Sequence, residues 1–63
     1  MSIVKVSFHD WNGNDKEVEV TSNMCEGLAL AKNEETLFVT AIQYIKRRYT
    51  ECISINSVEI IAN

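Results

Sequence analysis

Three side chains near the start of the chain have the types that nucleophilic catalysis combines. Ser7 is a candidate nucleophile, His9 a candidate base, and Glu17 a carboxylate that would orient the base. His9 and its neighbour Asp10 do not form such a pair, because adjacent residues of a strand point to opposite faces. Nothing in the spacing forces Ser7, His9 and Glu17 together, and a small exposed hairpin does not exclude water as catalysis requires. The sequence therefore predicts a protein that is not an enzyme and has no catalytic residue.

Metal and cofactor chemistry is not indicated either. Cys25 and Cys52 stand far apart, and the single histidine, His9, lies far from both. A zinc site needs four clustered ligands, which usually come in close pairs such as C-x-x-C. We therefore expect no metal and no cofactor, and we expect both cysteines to be reduced, part-buried thiols. A disulfide would form only if the fold brought the two cysteines together.

Two alternating runs with a turn between them predict the β-hairpin that positions these residues. Residues 3–8 and 16–20 alternate with period two on either side of Asn12-Gly13-Asn14. A two-residue loop would set apolar residues against acids, whereas a three-residue loop, 12–14, matches apolar residues with each other. The predicted cross-strand pairs are then Phe8 with Val18, Val6 with Val20, His9 with Glu17 and Asp10 with Lys16.

The two faces of this hairpin differ in character. The apolar face, which a core must cover, comprises Val4, Val6, Phe8, Val18 and Val20. The opposite face is polar and acidic but carries a tryptophan, a residue type that is enriched at binding hot spots. This combination predicts a partner-binding surface formed by Ile3, His9, Trp11, Asp15, Glu17 and Glu19. The alternative is that Trp11 folds over the turn and shields the end of the hairpin.

The period changes after the hairpin and indicates two helices. Asn23 and Glu26 have the spacing of a capping box, and the apolar residues after them predict a short helix to about Lys32. Gly27 within that helix costs about 1 kcal/mol relative to alanine. Asn33 is predicted to cap a second helix, which the basic residues 46–48 end. The predicted apolar stripe of this helix is Phe38, Ile42, Ile45 and Tyr49, flanked by Leu37 and Ala41.

The last segment is predicted to be a strand with an interruption. Ile53 and Ile55 alternate on odd positions and Val58 and Ile60 on even ones, so the phase slip at Asn56-Ser57 indicates a bulge or turn before a strand at 58–62. The predicted fold is one α+β domain, 1–63, a two-layer ββααβ sandwich in which the hairpin and C-terminal strand form an antiparallel sheet covered by one or two helices. The competing interpretation makes 28–31 and 36–42 a second hairpin.

Charge restricts the partners. The 63 residues carry a net charge of −3, which disfavours general binding to nucleic acid or anionic membrane and permits a basic protein partner. The alternative basic contact is the helix end formed by Lys46, Arg47 and Arg48. No apolar run approaches the roughly 20 residues of a membrane span, and no signal-peptide pattern follows Met1, so the expected location is the cytoplasm. A free edge of the sheet would allow a homodimer.

The opening of the chain resembles small phage-encoded inhibitor proteins. The likeness rests on Val4-Lys5-Val6, Phe8, Trp11 and Lys16-Glu17-Val18. Within that class, T-even phage antitoxins against a host messenger-RNA endonuclease are similar in length and in this strand-turn-strand opening. Anti-CRISPR proteins are similar in size and acidity. The resemblance implies a small viral protein that acts by docking on a host protein.

These observations together predict a non-enzymatic inhibitor or adaptor. Its expected partner is a host defence or nucleic-acid-processing protein, such as a CRISPR effector or a toxin nuclease, whose basic groove meets Asp15, Glu17 and Glu19. Trp11 and Ile3 are the expected apolar anchors, and the expected mechanism is steric blocking. The alternatives are a small nucleic-acid-binding accessory protein that uses the basic helix end, and a structural homodimeric subunit.

Overall fold

In a computed structural model that describes all residues 1–63, the chain forms a three-stranded antiparallel sheet with two helices on one face. The elements in chain order are β1 (Ile3–Asp10), β2 (Asp15–Thr21), α1 (Glu26–Leu30), α2 (Glu34–Arg48) and β3 (Cys52–Ala62). β1 lies in the centre and pairs with β2 on one side and β3 on the other. The predicted ββααβ fold is confirmed, and the last strand lies beside the first. The alternative of a second hairpin within 28–42 is wrong, because that segment is helical.

The loop of the hairpin lies one residue earlier than predicted, at 11–13. The Asp10 N–H donates to the Asn14 carbonyl at 2.9 Å, and the Gly13 N–H donates to the Asp10 carbonyl at 3.1 Å. Gly13 has a φ of +86°, and three-residue hairpin loops place such a left-handed residue last. The glycine therefore ends the loop instead of lying in its middle.

This loop moves the pairing of β1 and β2 by two residues. The observed pairs are Val4 with Val20, Val6 with Val18, Phe8 with Lys16 and His9 with Asp15, so the predicted register is wrong. The predicted charge pair of Asp10 with Lys16 still forms diagonally, with Lys16 Nζ 3.5 Å from Asp10 Oδ2. The predicted faces are nevertheless right, because a shift of two residues keeps every side chain on its own face of the sheet.

The apolar face of the hairpin forms half of the core. The fully buried apolar residues are Val4, Val6, Phe8, Val20, Leu28, Leu37, Ala41 and Ile45. Val18 is half-buried and packs against this cluster. The Phe8 and Tyr49 rings lie 5.6 Å apart between centroids and are tilted by 48°, a favourable arrangement for aromatic rings.

Helix α2 begins and ends as predicted but presents a different ridge to the sheet. The Asn33 side chain accepts a hydrogen bond from the Thr36 N–H at 2.8 Å, the N-cap that the sequence indicates. The buried ridge is Leu37, Ala41 and Ile45. Phe38 and Ile42 are only half-buried and do not pack against the core cluster, so the predicted core-facing stripe is wrong at these two positions. Three consecutive apolar residues at 37–39 allow either ridge, and sequence periodicity does not choose between them.

Helix α1 is shorter than predicted and has no capping box. It begins after Cys25, which makes no side-chain cap, while the Asn23 amide lies 3.3 Å from the Met1 sulfur instead. The Thr21 hydroxyl accepts from the Met24 N–H at 3.3 Å and stabilises the turn before the helix. Leu28 is the buried residue of this helix.

α1 approaches α2 closely at Gly27. A Cβ atom at this position would lie 2.7 Å from the Thr40 Cγ2, which is too close for any carbon pair. Helix preference alone would make Gly27→Ala stabilising by about 1 kcal/mol. We expect the opposite here, a lower Tm, because the β-branched Thr40 has few rotamers in a helix with which to make room.

A double-mutant cycle measured by thermal unfolding in circular dichroism tests this packing. In a Thr40→Ser background, which lacks the Cγ2 methyl group, Gly27→Ala is expected to be neutral or stabilising. Equal effects of Gly27→Ala in both backgrounds would show that Thr40 does not restrict this position.

β3 is continuous but irregular. Its pairing with β1 shifts between Ser7 and Phe8, which leaves Asn56 as an extra residue, so the predicted interruption is a bulge. Two further shifts leave Ile53 and Ile61 without a partner on β1. The strand begins at Cys52, well before the predicted start at 58.

Candidate protein-binding surface

The sheet face away from the helices, here called the open face, is polar and acidic. Strand pairing places on it Lys5, Ser7, His9, Asp15, Glu17, Glu19, Ser54, Ser57 and Glu59, with Ile3, Thr21 and Ala62 at the end far from the turn. Four of these are carboxylates, and Lys5 is the single residue with a permanent positive charge. Lys5 Nζ lies 3.6 Å from Glu59 Oε1, whereas neither Glu17 nor Glu19 is in an ion pair. The net charge of the open face is therefore negative.

His9 is held by Asp15 and not by the predicted Glu17. His9 Nδ1 lies 2.9 Å from Asp15 Oδ1, and the bulge residue Asn56 donates its side-chain N–H to the same oxygen at 3.1 Å. The hydrogen bond with His9 and, second, that with Asn56 lower the pKa of the Asp15 carboxyl. Asp15 therefore stays charged at neutral pH and fixes the His9 ring against the sheet.

The catalytic combination considered from the sequence does not form in this structure. Ser7 makes no side-chain hydrogen bond to His9, and the carboxylate that bonds His9 is Asp15, while Glu17 lies opposite Ser7. The surface contains no pocket, and no three His, Cys, Asp or Glu side chains are grouped to hold a metal ion. Cys25 and Cys52 are free, half-buried thiols.

A buried carboxylate organises the hairpin turn. Asp10 is 1% exposed, and its Oδ1 accepts hydrogen bonds from the Asn14 N–H at 2.8 Å and the Asn12 N–H at 3.0 Å. These bonds, that from Asn14 most, lower the pKa of the Asp10 carboxyl in spite of its burial. The second oxygen, Oδ2, makes no hydrogen bond, and its nearest positive charge is Lys16 Nζ at 3.5 Å. The Asp10 carboxylate thus stabilises the loop by accepting hydrogen bonds from two of the backbone N–H groups around it.

Lys16 and Glu51 connect this turn to the start of β3. Lys16 Nζ lies 3.4 Å from Glu51 Oε2, and the hydrogen bond to Glu51 is the main reason that the pKa of Lys16 is raised. The Trp11 N–H donates to the Glu51 backbone carbonyl at 3.1 Å. The Trp11 backbone and the Lys16 side chain are therefore both held by Glu51, the residue before β3.

The side chain of Trp11 is directed into solvent from this fixed backbone. It is 66% exposed and so covers little of the hairpin end. An aromatic side chain on a rigid turn loses little conformational entropy when it enters a partner's pocket.

Not all predicted binding residues lie near one another. His9 and Asp15 flank the turn that carries Trp11, and Glu17 and Glu19 continue from it along β2. Ile3 is half-buried at the far end of β1, which at about 3.3 Å per residue lies roughly 26 Å from Trp11. Ile3 and Trp11 therefore lie at opposite ends of the sheet.

Sequence reasoning missed the residues that build the turn. Asp10 was expected to pair with Lys16 across the strands, and its burial was not anticipated because charged residues are rarely buried. An aspartate at the first and a glycine at the fourth position of a turn is a recognised pattern that identifies the loop. No local signal indicates Glu51, because it reaches Lys16 from 35 residues along the chain.

The alternative basic contact lies at the same end of the fold as the Trp11 turn, because α2 ends three residues before Glu51, whose carbonyl accepts from the Trp11 N–H. Lys46, Arg47 and Arg48 occupy the last turn of α2 and are exposed, and none of them is in an ion pair. The Arg48 guanidinium carbon lies 5.8 Å from the centre of the Tyr44 ring, within the range of a cation–π contact.

Comparison of the chain with family models, with curated proteins and with solved structures found no match. Neither helix of the structure has the length and apolarity needed to cross a membrane.

Proposed function

We propose that the protein is a phage- or mobile-element-encoded, non-enzymatic inhibitor or adaptor that binds a host protein in the host cytoplasm. Its partner is a defence or nucleic-acid-processing protein, such as a CRISPR effector or a toxin nuclease, and it blocks that partner sterically. The observation that carries this proposal is the exposed Trp11 on a rigid turn at the end of an acidic sheet face.

The charge of the open face supports a basic partner surface. Neither Glu17 nor Glu19 is in an ion pair, although Lys5 lies opposite Glu19 on β1, so both carboxylates can meet lysine or arginine side chains of a partner. A groove that holds nucleic acid is lined by such basic residues. Complementary charge of this kind mainly accelerates encounter, by an amount that falls with ionic strength.

The tryptophan supports slow dissociation of the complex. Tryptophan, tyrosine and arginine dominate binding hot spots because they fill desolvated pockets at the centre of interfaces. Trp11 lies next to the His9–Asp15 pair, so an anchored Trp11 would bring the acidic β2 residues onto the same partner surface. Occupation of the groove then excludes nucleic acid.

Affinity capture from host lysate with three variants tests this proposal. Trp11→Ala is expected to weaken binding to the captured protein by about 30-fold or more, which corresponds to the 2 kcal/mol of a hot spot. The Glu17→Lys and Glu19→Lys double variant is expected to lower the association rate and to reverse its salt dependence. Leu30→Ala, which removes an equally exposed apolar side chain from α1, is the control and should bind as the wild type does.

Two results contradict the proposal. If both hairpin variants remain folded and recover the captured protein as well as Leu30→Ala does, the binding surface is not at the turn or the open face. If wild type captures nucleic acid or a small molecule but no protein, the protein is not a protein-binding inhibitor.

The exposed, unpaired basic side chains at the end of α2 support a second candidate, a nucleic-acid-binding accessory protein. At about 150 mM salt we expect no binding of wild type to duplex DNA or RNA, because the net charge is negative. A sub-micromolar gel shift that the triple alanine variant of Lys46, Arg47 and Arg48 abolishes would establish this second function instead. Sedimentation equilibrium would detect the third possibility, a structural homodimer.

A further inference from the structure

The outer edge of β2 has backbone groups that no other part of the chain pairs. In an antiparallel ladder, hydrogen-bonded pairs alternate with pairs whose backbone groups point outward. Asp10 is hydrogen-bonded to Asn14 and Ser22 to Ser2, so the bonded positions of the hairpin are the even ones. The odd residues of β2 therefore direct their N–H and C=O groups to the free edge. Two of these residues, Glu17 and Glu19, lie in the middle of the strand.

The edge of β2 is regular, whereas that of β3 is not. All seven β2 residues pair with β1 in one unbroken register. β3 is interrupted by extra residues at Ile53, Asn56 and Ile61, and bulges of this kind prevent the addition of another strand. β2 is therefore the edge that can accept one.

The charges on β2 disfavour a second copy of the chain as that strand. Antiparallel pairing of two β2 strands over most of their length sets Glu17 opposite Glu17 or Glu19 of the other copy, or Glu19 opposite Glu19. Like charges directly opposite each other destabilise a sheet, whereas opposite charges stabilise it. The strand that fits is therefore basic.

We infer that β2 accepts an extended, basic segment of a partner protein as an added fourth strand of the sheet. Lysine or arginine side chains at alternate positions of this segment lie on the open face, opposite Glu17 and Glu19. The residues between them lie on the helix side beside the half-buried Val18, where an apolar or β-branched side chain fits. This inference deepens the proposed function and rests on it in one respect, that the partner is a basic protein.

Hydrogen exchange of the free protein gives the first measurement. The amides of Val18 and Val20, which are bonded to β1, are expected to exchange slowly, and those of Glu17 and Glu19 rapidly. Equal protection of all four amides in the free, monomeric protein would show that the edge is already paired, and would overturn the inference.

Titration with a synthetic peptide gives the second measurement. The probe is a capped peptide of alternating lysine and valine, as long as β2. Its binding is followed in amide NMR spectra of the protein. Binding is expected to shift the Glu17, Glu19 and Thr21 amides most and to slow their exchange. Shifts confined to Trp11, or to the helices, would overturn the inference.

Backbone methylation of the peptide separates strand addition from simple charge attraction. In antiparallel addition the backbone N–H groups of the lysine residues point toward β2. Methylation of these backbone nitrogens is therefore expected to weaken binding by about tenfold or more. Methylation at the valine nitrogens, which point to solvent, is the matched control and should leave the affinity within about twofold of the parent peptide. Equal affinities of the two methylated peptides would show that charge alone holds the peptide.

The outcome also distinguishes this inference from the proposed function. If the peptide fails to add to β2 while Trp11→Ala still releases the captured host protein, the strand-addition inference is wrong and the proposed function stands. If neither experiment gives the expected result, both are wrong.

Discussion

Replacing Phe8 with alanine is expected to leave the chain largely unfolded at room temperature. The side chain is completely buried and packs against the tilted Tyr49 ring. Truncation of a buried phenylalanine costs about 3–5 kcal/mol, because it removes transfer free energy and leaves a cavity. A chain of 63 residues has a free energy of unfolding of about 3–9 kcal/mol, so the loss approaches or exceeds the whole stability. Urea denaturation followed by far-UV circular dichroism measures it.

Phe38→Ala is the matched control for this prediction. It removes the same atoms from a half-buried residue on the flank of α2 that does not pack against the core cluster. We expect its destabilisation to be clearly smaller than that of Phe8→Ala and the variant to remain folded. If Phe38→Ala unfolds the chain while Phe8→Ala does not, the ridge of α2 that faces the sheet is the one first predicted from periodicity.

The sequence pattern was sufficient to place Phe8 in the core but not to place Phe38 outside it. Alternation along β1 placed Phe8 on the apolar face without ambiguity, because a strand has only two faces. A helix has a continuous surface, and the apolar run Leu37-Phe38-Val39 covers more of it than the sheet can bury. The contact with the sheet, which is a tertiary property, selects Leu37 from this run.

Pairing register was a second point that sequence pattern did not determine. Two registers that differ by two residues bury the same face, so matching apolar residues across the strands does not distinguish them. The decisive information is the φ of +86° at Gly13, which requires the glycine at the end of the loop. A loop that ends at Gly13 predicts the observed pairs, in which the partner of His9 is Asp15 and not Glu17.

The candidate site was predicted in outline but not in its construction. The exposed Trp11 and the acidic positions of β2 follow from alternation alone. The features that fix the turn depend on long-range contacts, namely the Lys16–Glu51 ion pair and the bond from the Trp11 N–H to the Glu51 carbonyl. Short sequence motifs do not indicate such long-range contacts.

Asp10→Ala is expected to have the second largest effect on stability. It leaves the Asn12 and Asn14 N–H groups without an acceptor and Lys16 without its buried partner. We expect Tm to fall by roughly 5–15 °C, as two lost hydrogen bonds imply for a domain of this size. The emission of Trp11 should also lose anisotropy, since its turn is no longer fixed. An unchanged Tm would mean that water replaces the carboxylate in the turn.

The pH dependence of stability separates the charge of Asp10 from its shape. Because the pKa of Asp10 is lowered in the folded state from the usual 3.8, its contribution is complete above that value and is lost as pH falls through the folded pKa. Asp10→Asn keeps the acceptor oxygen but removes this titration, so its Tm should fall less than that of wild type between about pH 6 and pH 3. Asp15→Asn is the control: its carboxyl also has a lowered pKa, but the side chain is 71% exposed and its pair with His9 is screened by solvent. A pH profile of Asp15→Asn flatter than that of Asp10→Asn would place the acid-sensitive group on the open face instead of in the turn.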